Sequence, residues 1–291
     1  MKKPIDLEII ITTYNSQFWL KKTLATLMEY VLAKTKLSIE VIVVDNNSSD
    51  ATLPMLRKEF AWVQLVQLSD NHGFAFANNR VLEKSTARYC MLLNSDVEST
   101  EHSDIDTLID YADERPDVGI VSPKLEFSDG KLDPACHRGE PTLWAAVSYF
   151  SGLEKQFPAS HYFGQYHQMY KDLNSVHTVD ACSGAAMIVR RAAIVEVGLL
   201  DEQFFMYAED LDWCRRFREH GYQVVYNPES RFIHHKNKSG IKSSSQTIAR
   251  STRKHFYNTM IQYYDKHYSQ QYPGWLRTFI RYILIIKQGA I

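Results

Sequence analysis

Short apolar runs, LEIIITTYN, IEVIVVDNNSSD, VQLVQLSDN and YCMLLNSDVE, recur through the N-terminal part of the chain, and each closes on polar residues. The stretches between them are long enough for helices, so the pattern predicts a βαβα alternation and an α/β fold with a parallel sheet. Ligands of such sheets gather outside the carboxyl ends of the strands. The fold would therefore bring the polar ends TTYN, DNNSSD, DNHGF and NSDVE to one edge. Asn, Asp and Ser also cap helices and make turns, so a structural reading stands beside the ligand-binding one.

After a further strand-like run, VGIVSPKLEF, residues 126–176 lose the rhythm and turn aromatic, with Trp144, Tyr149, Tyr162, Phe163, Tyr166 and Tyr170. Flat rings suit both a wall for a sugar and ordinary covering of a core. Order resumes with TVDACSGAAMIVRR, then the acidic stretch YAEDLDWCRR, strand-like YQVVYNP and RFIHH, the basic and polar HKNKSGIKSSSQT, and helical segments to the C-terminus.

The acidic stretch carries Glu209, Asp210 and Asp212 in the first turn of a predicted helix and Arg215, Arg216 and Arg218 further along, an order that complements the helix dipole. Winding it at about 100° per residue puts Trp213, Cys214 and Phe217 on one stripe, with Leu211 at its edge and Asp210 in its middle. Asp212 points to the opposite face, which reads as solvent, beside Arg215, Arg216 and Glu219. A carboxylate on a half-buried face is either a cap paired with an arginine or a general base at the mouth of a cleft.

With 33 basic and 34 acidic residues in 291, the net charge of −1 speaks against a nucleic-acid partner and leaves electrostatic function to local groups. Cys90, Cys136, Cys182 and Cys214 lie far apart, outside any zinc or disulfide pattern, which fits a reducing cytoplasm. Pro4, Asp6 and Glu8 interrupt any leader-like apolar region, and no run of about 18 apolar residues occurs, so the expected location is cytoplasmic. Thr12, Thr13, Tyr14 and Asn15 occupy the place of a glycine-rich dinucleotide loop, which argues against that cofactor class. Asp45, ending the second strand, can accept the N3–H of uracil or thymine, or cap a turn. Asp96 follows a very apolar strand and suits a hard divalent cation beside phosphates. His234 and His235 offer nitrogen ligands, and Lys236, Lys238 and Lys242 lie on a stretch that either folds over a diphosphate or is a solvated linker.

Taken in order, IIITTYN, VIVVDNNSSD, NHGFAFANN, LLNSD, SGAAMIVRR, GLLDEQFFMYAEDLDWCRR and RFIHHKNKSG resemble the inverting family-2 glycosyltransferases of the GT-A fold, particularly the bacterial rhamnosyltransferase-like branch. The resemblance runs from about residue 7 to about residue 240. It implies a GT-A domain over residues 1–240, with a nucleotide-binding half to about 125 and an acceptor half beyond, a mixed sheet flanked by helices, and a C-terminal helical extension over 241–291. By the same resemblance Asp210 is the catalytic base with Glu209 orienting base or acceptor, and Asp45 reads the nucleotide base. Asp96 holds Mg²⁺ or Mn²⁺ and the diphosphate, with His234 helping, five residues before Ser239. Thr13, Tyr14, Asn15, Asn47, Asn71, Gly73, Phe74, Asn78, Asn94 and Ser95 complete the donor site. Two departures stand out: Asn94 replaces the first acid of a DxD motif, and Arg80-Val81 replaces a small residue.

The implied reaction is a single displacement with inversion, from a dTDP- or UDP-sugar, L-rhamnose first, to a glycan or a polyprenyl-diphosphate-linked saccharide in surface polysaccharide assembly. A nucleotidyltransferase would show a glycine-rich basic loop in place of TTYN, and a noncatalytic sugar-nucleotide or glycan-binding protein would lack the Asp210 base. In residues 274–289, Leu276, Phe279, Ile280 and Ile283 share a helical face, with Trp275, Arg277, Arg281 and Lys287 around it. That face fits either the anionic inner surface of a membrane or packing on protein, including a homo-oligomer partner.

Overall fold

The computed structural model describes residues 4–236, 246–275, 278, 281 and 282. The predicted alternation is there: β1 (Leu7–Thr13), α1 (Gln17–Leu27), β2 (Ile39–Asp45), α2 (Thr52–Glu59), β3 (Gln64–Gln67), α3 (Phe74–Leu82) and β4 (Tyr89–Asn94). The second half is less regular, with β5 (Val97–Ser99), α4 (Ile105–Asp113), β6 (Val118–Glu126), α5 (Leu143–Ser151), α6 (Leu153–Gln156), β7 (His177–Val179), β8 (Ala186–Arg190), α7 (Arg191–Val197), α8 (Glu209–Glu219), β9 (Gln223–His234) and α9 (Gln246–Tyr268).

All nine strands share one sheet, ordered β3-β2-β1-β4-β8-β6-β9-β5, with β7 on β9. The first four are parallel, whereas β8 runs antiparallel to both β4 and β6, making the sheet mixed. Ile9, Ile10 and Ile11 of β1 are all fully buried, because helices cover both faces of the parallel part and remove any need for alternation. Their register aligns Thr13 with Asp45 and Thr12 with Asn94, which sets the polar strand ends at one edge.

YQVVYNP and RFIHH prove to be one strand. β9 runs unbroken past register shifts against β6, and its other edge takes β7 at Val224–Tyr226 and then β5 at Phe232–His234. The last pairing sets Val97 opposite His234, so residues distant in sequence meet just beyond Asp96.

One expectation fails on α8. Asp212 is not on a solvent face: it is fully buried, accepting from Arg216 Nε at 2.9 Å, Lys266 Nζ at 2.6 Å and His267 Nε2 at 2.7 Å. The reason is α9, which supplies Lys266 and His267 and lies across the face that a helical projection of the segment alone leaves open. Among the described residues no helix is long and apolar enough to cross a membrane. Leu276, Arg277, Phe279, Ile280 and residues 283–291, like Lys238, Ser239 and Lys242, lie outside the described residues, while Trp275 and Tyr282 are exposed.

Candidate active site

A cavity of about 390 Å³ opens between the strand ends and α8. Thr13 and Tyr14 reach it from the end of β1, Asn71, Gly73 and Phe74 from the loop into α3, and Asn94, Ser95 and Asp96 from the end of β4. Gly73 has φ +88°, and a Cβ there would lie 2.1 Å from the Phe205 carbonyl oxygen, so only glycine lets this loop approach the segment before α8. Phe74 N–H then donates to Phe205 O at 2.9 Å.

The other predicted donor-site residues brace the edge from behind. Asn15 (φ 49°) accepts from the Ser49 N–H at 2.7 Å and the Asp50 N–H at 3.3 Å, stitching the loops after β1 and β2 together. Asn47 (φ 66°) is exposed in the same turn, and Asn78, buried on α3, donates to Phe74 O at 2.9 Å. Asp45 is wholly buried. Its Oδ2 accepts from Ser48 N–H at 3.0 Å, and Oδ1 has no hydrogen-bond partner, leaving an acceptor in need of a donor. Asn46, which the sequence did not single out, does line the cavity and fixes the α3 loop, donating to Gly73 O at 3.0 Å and accepting from His72 N–H at 3.1 Å.

On the floor, Asp96 Oδ1 lies 3.4 Å from His234 Nε2, while His234 Nδ1 donates to Asp133 Oδ2 at 2.8 Å. Burial pulls the His234 imidazole down, but its bonds to Asp133 and Asp96 hold it above its ordinary value. Burial pushes the Asp133 carboxyl up, yet His234 and Lys236 hold it well below the usual carboxylate range. Lys236 Nζ reaches Asp133 at 3.1 Å. With Nδ1 committed to Asp133, Nε2 is aimed beside a carboxylate, an arrangement in which an outer carboxylate orients a metal-binding histidine. Among the described residues no three such ligands cluster, so a hard cation here would complete its shell with diphosphate oxygens and water.

The opposite wall carries the carboxylates of α8. Tyr207 and Ala208 lead into the helix with φ of 71° and 65°, two consecutive side-chain-bearing residues in the left-handed region, where strain is tolerated at sites that need a fixed geometry. Asp210 Oδ2 accepts from Arg138 Nη2 at 2.6 Å and Gly184 N–H at 3.3 Å, and Oδ1 from Leu211 N–H at 2.8 Å. Arg138 also donates to Cys182 O at 3.1 Å, and its Nε has no partner. Glu209 is buried with Oε2 unpartnered, and burial, then the neighbouring Asp210 charge, pushes its carboxyl well above the ordinary value.

Arg138, Asp133 and Tyr207 were missed by the sequence reading, as was the wall that α9 supplies through Phe256, Thr259, Met260, Tyr263 and Tyr264. No periodicity marks the first three. The aromatic stretch is split by the fold: Tyr149 and Tyr166 line the cavity, whereas Trp144 leans on the exposed Tyr162, ring centroids 4.8 Å apart, outside that lining.

The profile of Glycosyl transferase family 2 matches residues 8–194, and that of Glycosyl transferase family group 2 matches residues 126–287. The chain belongs to glycosyl transferase family 2. The transferase is 28% identical over 289 residues to the N-acetylglucosaminyl-diphospho-decaprenol L-rhamnosyltransferase of Mycobacterium tuberculosis, covering 96% of this chain and 89% of that one. It is 27% identical over 256 residues to a rhamnosyltransferase of Escherichia coli, covering 84% and 90%. A mannosyltransferase from Pyrobaculum calidifontis, solved with GDP-Man and Mn²⁺, superposes with a TM-score of 0.58 at 17% identity, covering 91% of this chain and 64% of that chain. The fold is thus GT-A, and the transferase is an enzyme of the rhamnosyltransferase-like branch working in glycan assembly. The nucleotidyltransferase and noncatalytic alternatives give way to that membership.

Proposed function

We propose that the transferase moves L-rhamnose from dTDP-L-rhamnose, or a hexose from UDP, to a hydroxyl of a polyprenyl-diphosphate-linked saccharide, with inversion at the anomeric carbon. The observation that carries this reading is that Asp210, held by Arg138 and the Gly184 N–H, lines the same cavity as Asp96 and His234. Asp210 takes the proton of the acceptor hydroxyl as its oxygen attacks the anomeric carbon. The bond to the diphosphate oxygen breaks on the opposite side, and the nucleoside diphosphate leaves with the electron pair. Arg138 and Gly184 keep the Asp210 carboxylate in one orientation, which is what proton transfer requires. Glu209, its carboxyl raised by burial and by the Asp210 charge, keeps its own proton and does not compete for that of the acceptor. Asp96 and His234 would hold Mg²⁺ or Mn²⁺, which when bound neutralises charge on the departing diphosphate.

Residues up to about 125 form the donor half in this reading, residues to about 240 the acceptor half, and reaction takes place on the cytoplasmic side. The donor assignment rests on the resemblance that makes Asp45 the reader of the base; its partnerless Oδ1 is buried behind the cavity-lining Asn46 and would have to be uncovered on binding to meet the N3–H of thymine or uracil. The acceptor assignment rests on the name of the mycobacterial relative and on the largely aromatic wall opposite the donor edge. Purified protein should release dTDP or UDP from the corresponding sugar nucleotide in step with product on a polyprenyl-diphosphate saccharide, and calorimetry should show dTDP or UDP binding at least about tenfold tighter than ADP or GDP, the discrimination expected of one buried acceptor. Turnover confined to a purine nucleotide sugar, or equal affinity for purine and pyrimidine diphosphates, would refute it.

A further inference from the structure

α5, with the sequence LWAAVSYFS, packs on the protein by its small residues: only Ala145 and Ser148 are buried, and Ser148 Oγ donates to Phe163 O at 2.6 Å. Of its larger side chains Val147 and Tyr149 are exposed, and Tyr149 and Phe150 line the cavity. Of the hydrophobic residues described between Cys136 and Val179, Ala145 alone is buried, while Val147 is 46% exposed, Phe157 45% and Tyr162 59%. The rings lean on one another, Trp144 on Tyr162 at 4.8 Å and Phe157 on Phe163 at 5.5 Å, and Trp144 Nε1 donates to Tyr162 O at 2.8 Å. The result is a slab of aromatic side chains stacked together outside the core.

The slab is continuous with the cavity, which Ala146 and Tyr149 of α5 line. Its charge has one sign. Between Pro141 and Lys171 the sole acid is Glu154, buried and paired with His167 at 3.2 Å, which leaves the exposed Lys155 as the charge that span presents to solvent. Aromatic residues with polar tips, exposed apolar side chains and an exposed lysine with no exposed acid in the same span are the composition of a membrane-interface surface. A two-fold contact between copies of the chain would instead set this uncompensated lysine against its own copy.

We propose that this slab seats the transferase on an anionic bilayer, with the cavity opening past Tyr149 towards the acceptor leaflet. The inference rests on the proposed lipid-linked acceptor only for its purpose; the surface is defined by its own composition. The test is co-sedimentation of the full chain with phosphatidylcholine vesicles, with and without phosphatidylglycerol, in the absence of donor and acceptor. Binding is expected only where phosphatidylglycerol is present, weakening as salt rises. The combined variant Val147→Asp, Phe157→Asp, Tyr162→Ser should lose at least about tenfold in vesicle affinity, since each change removes apolar area from the contact, while nucleoside diphosphate affinity and melting temperature stay at wild-type values. Lys155→Glu should weaken the same binding without the apolar changes and serves if the combined variant misfolds. The proposal is overturned if the wild type ignores phosphatidylglycerol vesicles, whether or not sedimentation velocity shows a dimer that the combined variant disperses, or if both variants bind vesicles as the wild type does. If no acceptor is glycosylated yet vesicle binding follows the slab, the surface stands and the acceptor reading falls.

Discussion

The two sides of the cavity are built by opposite means. The edge proposed for the donor is a row of strand ends: β1, β2 and β4 lie side by side, and their register alone places Thr13, Asp45 and Asn94 together. The wall proposed for the acceptor is collected from Arg138, Gly184, α8 and α9, and buried charge holds it together. Glu140 accepts from Arg215 at 3.1 Å, Tyr263 at 2.7 Å, Tyr268 at 2.8 Å and also from Arg218, tying α8 to α9. Asp212 binds the same two helices through Arg216, Lys266 and His267. An edge made of hydrogen-bonded strands holds its ligand groups through the backbone. A wall made of ion pairs depends on particular side chains, so substitutions there divide between those that stop chemistry and those that loosen the structure.

Asp210 and Asp212 sharpen that division, since they lie two residues apart on α8 and face opposite ways. The largest effect belongs to Asp210→Asn: turnover per folded molecule should fall by about 10²- to 10⁴-fold, as expected for loss of a general base, with nucleoside diphosphate affinity nearly unchanged and a lower melting temperature, since the largely buried Arg138 loses its charged partner. Near-normal turnover in the folded variant would sink the base assignment.

Asp212→Asn should cost stability alone, about 3–5 kcal/mol by leaving buried cations unpaired, while turnover per folded molecule holds. Its pH dependence follows from the carboxyl itself. Burial would raise it, but His267, Arg216 and Lys266 bring it from 3.8 down to about 2. A depressed acid contributes stability above its ordinary value and loses it as pH falls through the folded value. Urea denaturation should therefore show a constant gap between wild type and variant around neutrality, narrowing as pH drops from about 4 towards 2. A gap that persists in acid would mean the charge is not what Asp212 contributes.

The edge of strand ends was legible because each parallel strand carries its own apolar run and polar end, and adjacent parallel strands need no long-range knowledge to align. The acceptor wall was not. A helical projection gives the angle of Asp212 about its axis but says nothing of α9, whose sequence shows no sign of what it will cover. Asp133 and Arg138 sit where periodicity is lost, and Asp133 meets His234 only after β9 has paired with β6 and β5. Even for Asp45, Asp96 and Asp210, residue chemistry alone left a capping or pairing alternative open; the order of motifs, through the family resemblance, assigned the roles.

The smallest effect tests whether the wall holds one charged carboxylate or two. Glu209 adjoins Asp210, and burial with the Asp210 charge raises its carboxyl well above the ordinary 4.5, so it carries a proton at neutral pH. Glutamine has the same shape and is neutral, so Glu209→Gln should keep turnover within roughly threefold of wild type, against about 10²-fold or more for loss of the base. Stability gives an independent reading with a defined sign. An acid whose folded value is raised contributes fully below its unfolded value and loses that contribution as pH rises through the folded one. Wild type should accordingly weaken between acid and mildly alkaline pH by an amount that Glu209→Gln does not show, the two melting together in acid and the variant melting higher in alkali. If Glu209→Gln instead loses turnover as severely as Asp210→Asn, and the two melting profiles run parallel across pH, then Glu209 is ionised in the working enzyme. The proton from the acceptor would then be shared between both carboxylates at the start of α8.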